Sequence, residues 1–215
     1  NNIFIFIRFL DQNEYTTPVS SYDLMVNSST SESMHGYFLQ DSGNQLTVNG
    51  SFCPNPVGGI VRSFQDGHNR GYFSPYNAAT NPGGYEDEDQ GRSRMHAMFR
   101  AAVNSVGSSV SPSLNVDGDG DGFVDNVIFV IQGDPDPVWR SMLWPQQWFL
   151  EFMPAVFETV YINNKIVRTY NIQLSNMLID PVNSTIAGTG VLCHEFSHSI
   201  GFPDLYHYNG RSEEH

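Results

Sequence analysis

His194, Glu195, His198, Gly201 and Asp204 stand in the order HExxHxxGxxD. No other feature restricts so tightly what the chain around it can fold into. Residues 190–201, GVLCHEFSHSIG, read as a helix because Leu192, Phe196 and Ile200 recur every four residues and share one face. His194 and His198 then lie one turn apart on another face, where two imidazoles can bind one Zn²⁺ at about 2.0–2.1 Å. Glu195 sits beside that face, and its carboxylate can reach a water there without becoming a ligand, as a general base must. Gly201 falls where helices commonly stop in a left-handed conformation, which lets the chain turn back. Asp204 can then add an oxygen, giving two nitrogens, one oxygen and an open position, the pattern of a catalytic rather than a structural site. The competing reading is a surface helix bearing two histidines. HExxH alone arises by chance in roughly one chain of this length in a hundred, and Gly201 and Asp204 lower that to roughly a few in 100,000.

A second cluster of ligand-type residues lies upstream. Asp117, Asp119, Asp121, Gly122 and Asp125 match loop positions one, three, five, six and nine of an EF-hand, with the Phe123 carbonyl at position seven. Position twelve is Ile128 instead of Glu, so the usual bidentate ligand is absent. Two readings stand: a Ca²⁺ site, structural in role because a strand follows it, or an acidic turn.

Around these motifs the chain reads as one mixed α/β domain, residues 1–215, with no dividing linker and no internal repeat. Residues 3–10 read as a buried strand, Ser31–Gln40 as a short helix ended by Gly43 with Met34, Tyr37 and Phe38 on one side, and Leu46–Val48 as a strand. Cys53–Gln90 shows no period and reads as a long irregular region able to form part of a cleft wall. From Ser93, apolar residues at spacings of three and four predict a helix with one buried stripe. Val127–Ile131 suits a central strand, and Tyr161-Ile162 with Ile166–Ile172 a further strand or hairpin.

A formal net charge of −13 with a single lysine, Lys165, argues against a nucleic-acid partner. The acids of Glu86–Asp89 read as solvated surface. The longest apolar runs, Ile3–Ile7 and Val127–Ile131, are far shorter than the roughly 20 residues a membrane helix needs. The opening directly on a strand, without an initiator Met, reads as a fragment or a processed chain. Cys53 and Cys193 are compatible with one disulfide or with two thiols. Trp139, Trp144 and Trp148 could line a cleft, but aromatics beside Pro145 more often pack a core or interface. His35, His68, His96 and His207 are scattered, and only His207 is near enough in sequence to suggest a role at a metal.

Through His194-Glu-Phe-Ser-His-Ser-Ile-Gly-Phe-Pro-Asp-Leu-Tyr206 the sequence resembles the immune inhibitor A family of bacterial metallopeptidases. Asp117–Asn126 and Met142-Leu-Trp-Pro-Gln-Gln-Trp148 agree with that family's pattern, and Ile3–Asp11 and Tyr37–Gly50 do so more weakly. The resemblance implies a secreted zinc endopeptidase acting on protein or peptide substrates, made with a propeptide and often with downstream domains. It also implies a zincin-like, metzincin-type α/β fold (α+β), with a mixed sheet and a zinc-binding active-site helix. Gln146 and Ser197 depart from the family's usual His and Gly. The family's Met-containing turn lies beyond His215, so the C-terminal part of the domain is expected to be missing. Competing readings are a non-catalytic, calcium-stabilised binding module and an inactive piece of a peptidase. The intact Glu195 favours the enzyme, because a decayed site has no need of a base beside two ligands.

Overall fold

A computed structural model describes residues 1–30, 32–136, 141–150 and 158–204. Strand β1 (Asn2–Arg8) is buried from Asn2 to Ile7. A run apolar on both faces can only be a central strand with layers above and below it. It pairs in parallel with β2 (Gly50–Cys53) and β3 (Phe64–Gln65), successively along one edge, and with β4 (Asn126–Ile131) on the other. β4 in turn pairs in parallel with β8 (Thr169–Leu174), and β5 (Gln146–Phe149) adds an antiparallel strand outside β8. The sheet is therefore mixed, in the order β2-β1-β4-β8-β5, and a separate hairpin joins β6 (Tyr161–Ile162) to β7 (Lys165–Ile166).

Alternation along the strands divides the core in two. Ile3, Ile5, Ile7, Val127, Phe129, Ile131, Tyr170 and Ile172 face helix α3 (Glu88–Val106), whose Met95, Met98, Phe99, Ala102 and Val103 fill that layer. Phe4, Phe6, Ile128 and Val130 face the other way. They meet α1 (Val19–Asn27), α2 (Met34–Asp41) and α5 (Gly190–Ser199), while the single-turn α4 (Ser175–Leu178) follows β8. Phe99 stacks on Phe129 with ring centroids 4.0 Å apart, and Phe38 of α2 meets Phe196 of α5 edge-on at 4.8 Å.

Several expectations change. β1 ends at Arg8, and Leu10 is exposed. Leu46–Val48 is not a strand; the ladder with β1 begins at Gly50. α2 starts at Met34, where Ser33 caps it by accepting from the Gly36 N–H, and Tyr37 points outward instead of joining Met34 and Phe38. α3 begins at Glu88, five residues before Ser93. Asp87 caps it, and Glu88 and Asp89 complement the helix dipole in its first turn, so the acids of Glu86–Asp89, exposed as expected, also mark a helix start. α1 was not anticipated. Cys53 and Cys193 are free and buried, in the cores on opposite sides of the sheet, which excludes the disulfide. No helix among the described residues is long and apolar enough to cross a membrane.

Candidate metal centre and cleft

α5 packs on β8 and β5, burying Leu192 and Phe196. Its C-terminal end is tied to the sheet by a chain of buried amides: Asn171 Nδ2 donates to Ser199 Oγ at 2.9 Å and to Asn126 Oδ1 at 2.7 Å, and Asn126 donates to Asn2. The face left over carries His194 and His198, with ring centroids 4.8 Å apart and Nε2 atoms 3.3 Å apart. Ile200, read as sharing a helix face with Leu192 and Phe196, is exposed and stands just past the helix. Gly201 takes φ +96°, and the backbone N–H groups of Gly201 and Phe202 return to the carbonyls of His198 and Ser197.

That turn brings Asp204 Oδ1 to 3.3 Å from His194 Nε2 and 3.1 Å from His198 Nε2. Three donor atoms bound to one tetrahedral ion at about 2.0–2.1 Å would lie about 3.3–3.4 Å from one another. The observed spacings of 3.1–3.3 Å fit that figure, and the set of two nitrogens and one carboxylate oxygen suits zinc chemically. His198 Nδ1 lies 2.7 Å from the Phe202 carbonyl. A proton on Nδ1 would be donated to that oxygen, leaving Nε2 with its lone pair toward the ion.

Glu195 is buried and lines the same cleft as the three ligand-type residues, a cavity of about 510 Å³. Burial pushes its carboxyl up to about 7. Asp204's negative charge adds to that, while His198 and the backbone N–H of Gln147 oppose it. Beside it, burial raises the Cys193 thiol to about 11, so it stays protonated at neutral pH and packs in the core.

The sequence matches the model of the immune inhibitor A peptidase M6 catalytic domain over residues 11–214. The chain belongs to the immune inhibitor A (M6) peptidase family. It is thus a metallopeptidase catalytic domain, and protein or peptide chains are its substrate class. None of the curated proteins matches the chain.

Other residues of this M6 domain fall differently from expectation. Trp144 and Trp148, read as packing, line the cleft together with Arg92, Met95 and Tyr170, whereas Trp139 and His207 lie outside the described residues. Arg92 and Tyr170 carried no local signal, because α3 and β8 meet only in the folded chain. The Cys53–Gln90 region contributes only Glu88 to the cleft, and that residue belongs to α3. His35 Nδ1 meets the Val48 carbonyl, His68 pairs with Asp66, and His96 is buried against Tyr170, so none of the three lies at the centre.

In the acidic loop, carboxylate oxygens of Asp117, Asp119 and Asp125 lie within 4.8 Å of one another. Asp121 is not in that group: its Oδ1 accepts from the Phe123 N–H, just as Asp119 Oδ1 accepts from Asp121. Lys165 Nζ lies 2.6 Å from Asp117 Oδ2 and is the main cause holding the Asp117 carboxyl below its usual range. The Asn1 nitrogen is 2.9 Å from Asp125 Oδ2.

Proposed function

We propose that the chain is the catalytic domain of a secreted zinc endopeptidase in which Glu195 acts as general base. The observation that carries this reading is the spacing of His194 Nε2, His198 Nε2 and Asp204 Oδ1, at 3.1–3.3 Å, in one cleft with Glu195. These three atoms would hold the ion. Zinc bound there would supply Lewis acidity, lowering the pKa of a water and polarising the scissile carbonyl. Glu195 takes the proton of the attacking water on its carboxylate and passes it to the nitrogen of the leaving amine. The Phe202 carbonyl fixes the His198 ring, and the Gly201 turn fixes Asp204. β5 lines the cleft, and cleavage within chains rather than at their ends is part of the proposal, resting on the family resemblance. Secretion is part of the proposal and rests on the family resemblance.

Metal analysis of the purified chain, with casein hydrolysis measured with and without a zinc chelator, tests the reading. One zinc per chain and chelator-sensitive hydrolysis are expected. A chain that binds no zinc would overturn it.

Calcium binding at Asp117, Asp119 and Asp125 is a further part of the proposal, supported by the convergence of the three carboxylates. Lys165 Nζ, on Asp117 Oδ2, places a competing positive charge beside that group.

A further inference from the structure

Arg92 enters the cleft that holds His194 and Glu195, and it is the one Arg or Lys among the described residues lining it. Its position is set by close packing. A Cβ on the preceding Gly91 would stand 2.9 Å from Met142 Cγ and 3.0 Å from Tyr85 Cγ, so the first turns of α3 press directly on the segment that forms the cleft wall. The Arg92 guanidinium lies 5.9 Å from the Trp148 ring centroid, a cation–π distance. It is also close enough to Tyr170 to oppose the rise that burial causes there, and to His96 to add to the lowering that burial and Arg100 cause.

The hydrolytic centre makes no use of this charge. Among the described residues its ion-pair partner is Glu88, at 3.9 Å and 82% exposed, a solvated contact at the limit of ion pairing that contributes little. A guanidinium offers a planar fork of donors that matches a carboxylate better than any other side chain does. Met95, Met142 and Trp144 nearby suit the methylenes of an acidic side chain.

Resting on the peptidase reading, we infer that Arg92 determines specificity by selecting peptide substrates that place an Asp or Glu side chain against Trp148. The test uses the zinc-loaded chain and quenched fluorescent peptides in which each position flanking the scissile bond is, in turn, Glu, Gln or Lys. Glu should exceed Gln in kcat/KM by about fivefold at one position, the factor expected of a partly exposed charge-assisted pair. The ratio should fall to about one in Arg92→Gln, and Lys should become preferred over Gln in Arg92→Glu. Ratios within one enzyme are compared, so a change in folding yield cannot mimic the effect. Casein and neutral peptides that are cleaved with no Glu preference, or with one that survives Arg92→Gln, would overturn the role of Arg92 and leave the peptidase reading standing. If nothing is cleaved, the peptidase reading fails. Binding of the same peptides to Glu195→Gln, followed by fluorescence anisotropy, then decides Arg92: a Glu preference lost in Glu195→Gln with Arg92→Gln upholds it, and equal binding overturns it.

Discussion

Glu195 is buried beside two histidines and a second carboxylate, so its charge is unfavourable until a cation neutralises the cleft. Glu195→Gln keeps the shape and removes the ability to accept a proton. It should retain one zinc per chain while kcat falls by about 10²–10⁴, the usual contribution of a positioned acid–base group. Full turnover in the variant, measured with the zinc content, would require another base. His96 offers a pH-dependent test of the packing beneath the cleft. It is fully buried, with Nε2 2.9 Å from the Tyr170 hydroxyl, and burial followed by the charges of Arg100 and Arg92 lowers it to about 4. The unfolded chain takes up this proton near pH 6.5 and the folded chain only near 4. Stability should therefore be flat above about pH 6.5 and fall, by on the order of 3 kcal/mol from this group, as pH drops toward 4. Urea midpoints between pH 4 and 7 should show a shallower slope in His96→Gln, which keeps a polar partner for Tyr170. Equal slopes would assign the acid sensitivity to other groups.

At the scale of elements, α5 and its following turn carry the centre, and Gly201 is the joint between them. At φ +96° none of the described residues lies within 4 Å of a Cβ there, so a substitution meets backbone strain and no clash with them. Gly201→Val should cost about 1–3 kcal/mol of local conformational energy. The strain would be relieved by moving Asp204, so zinc affinity should fall by about tenfold or more, while far-UV circular dichroism stays unchanged. Competition with a chelating dye measures it, and an unaltered zinc Kd would show that the turn does not place Asp204. α5, β1 and β4 were legible from the residues because each carries its period or its unbroken apolar run within itself. The HExxHxxGxxD pattern even located the turn. β5 was not legible: Gln-Gln-Trp-Phe has no alternation, and it becomes a strand by pairing Gln146–Phe149 with Ile172–Thr169 of β8. The start of α3 was hidden because its first turn has no apolar stripe. Its signal was the cap, with Asp87 accepting from the Gln90 N–H and the Gln90 side chain accepting from Glu86 N–H. Arg92 was invisible for the same reason, since that unread stretch contains it.

Across the whole molecule, the acidic loop and α5 are joined through the sheet. Asp125 directly precedes Asn126, whose side chain is bonded to Asn171, and Asn171 holds Ser199 at the end of α5. Lys165, between the hairpin strand β7 and the loop, already neutralises Asp117, while Asp119 is exposed. If calcium binds, the Lys165 charge stands beside it on Asp117 Oδ2 and opposes it, which lowers affinity without removing the site. Calcium at one hundred times its Kd should stabilise the fold by about 2.7 kcal/mol, a rise of about 5–10 °C in Tm for a domain of this size. With zinc held constant, the rise should vanish in Asp119→Ala without loss of zinc, because the two sites share no ligand. Lys165→Met should tighten calcium binding by removing the competing charge beside Asp117, although its Tm without calcium should be lower through repulsion among the unpaired acids. A midpoint that calcium leaves unchanged in both the parent chain and Lys165→Met would mean that the loop is an acidic turn neutralised by Lys165.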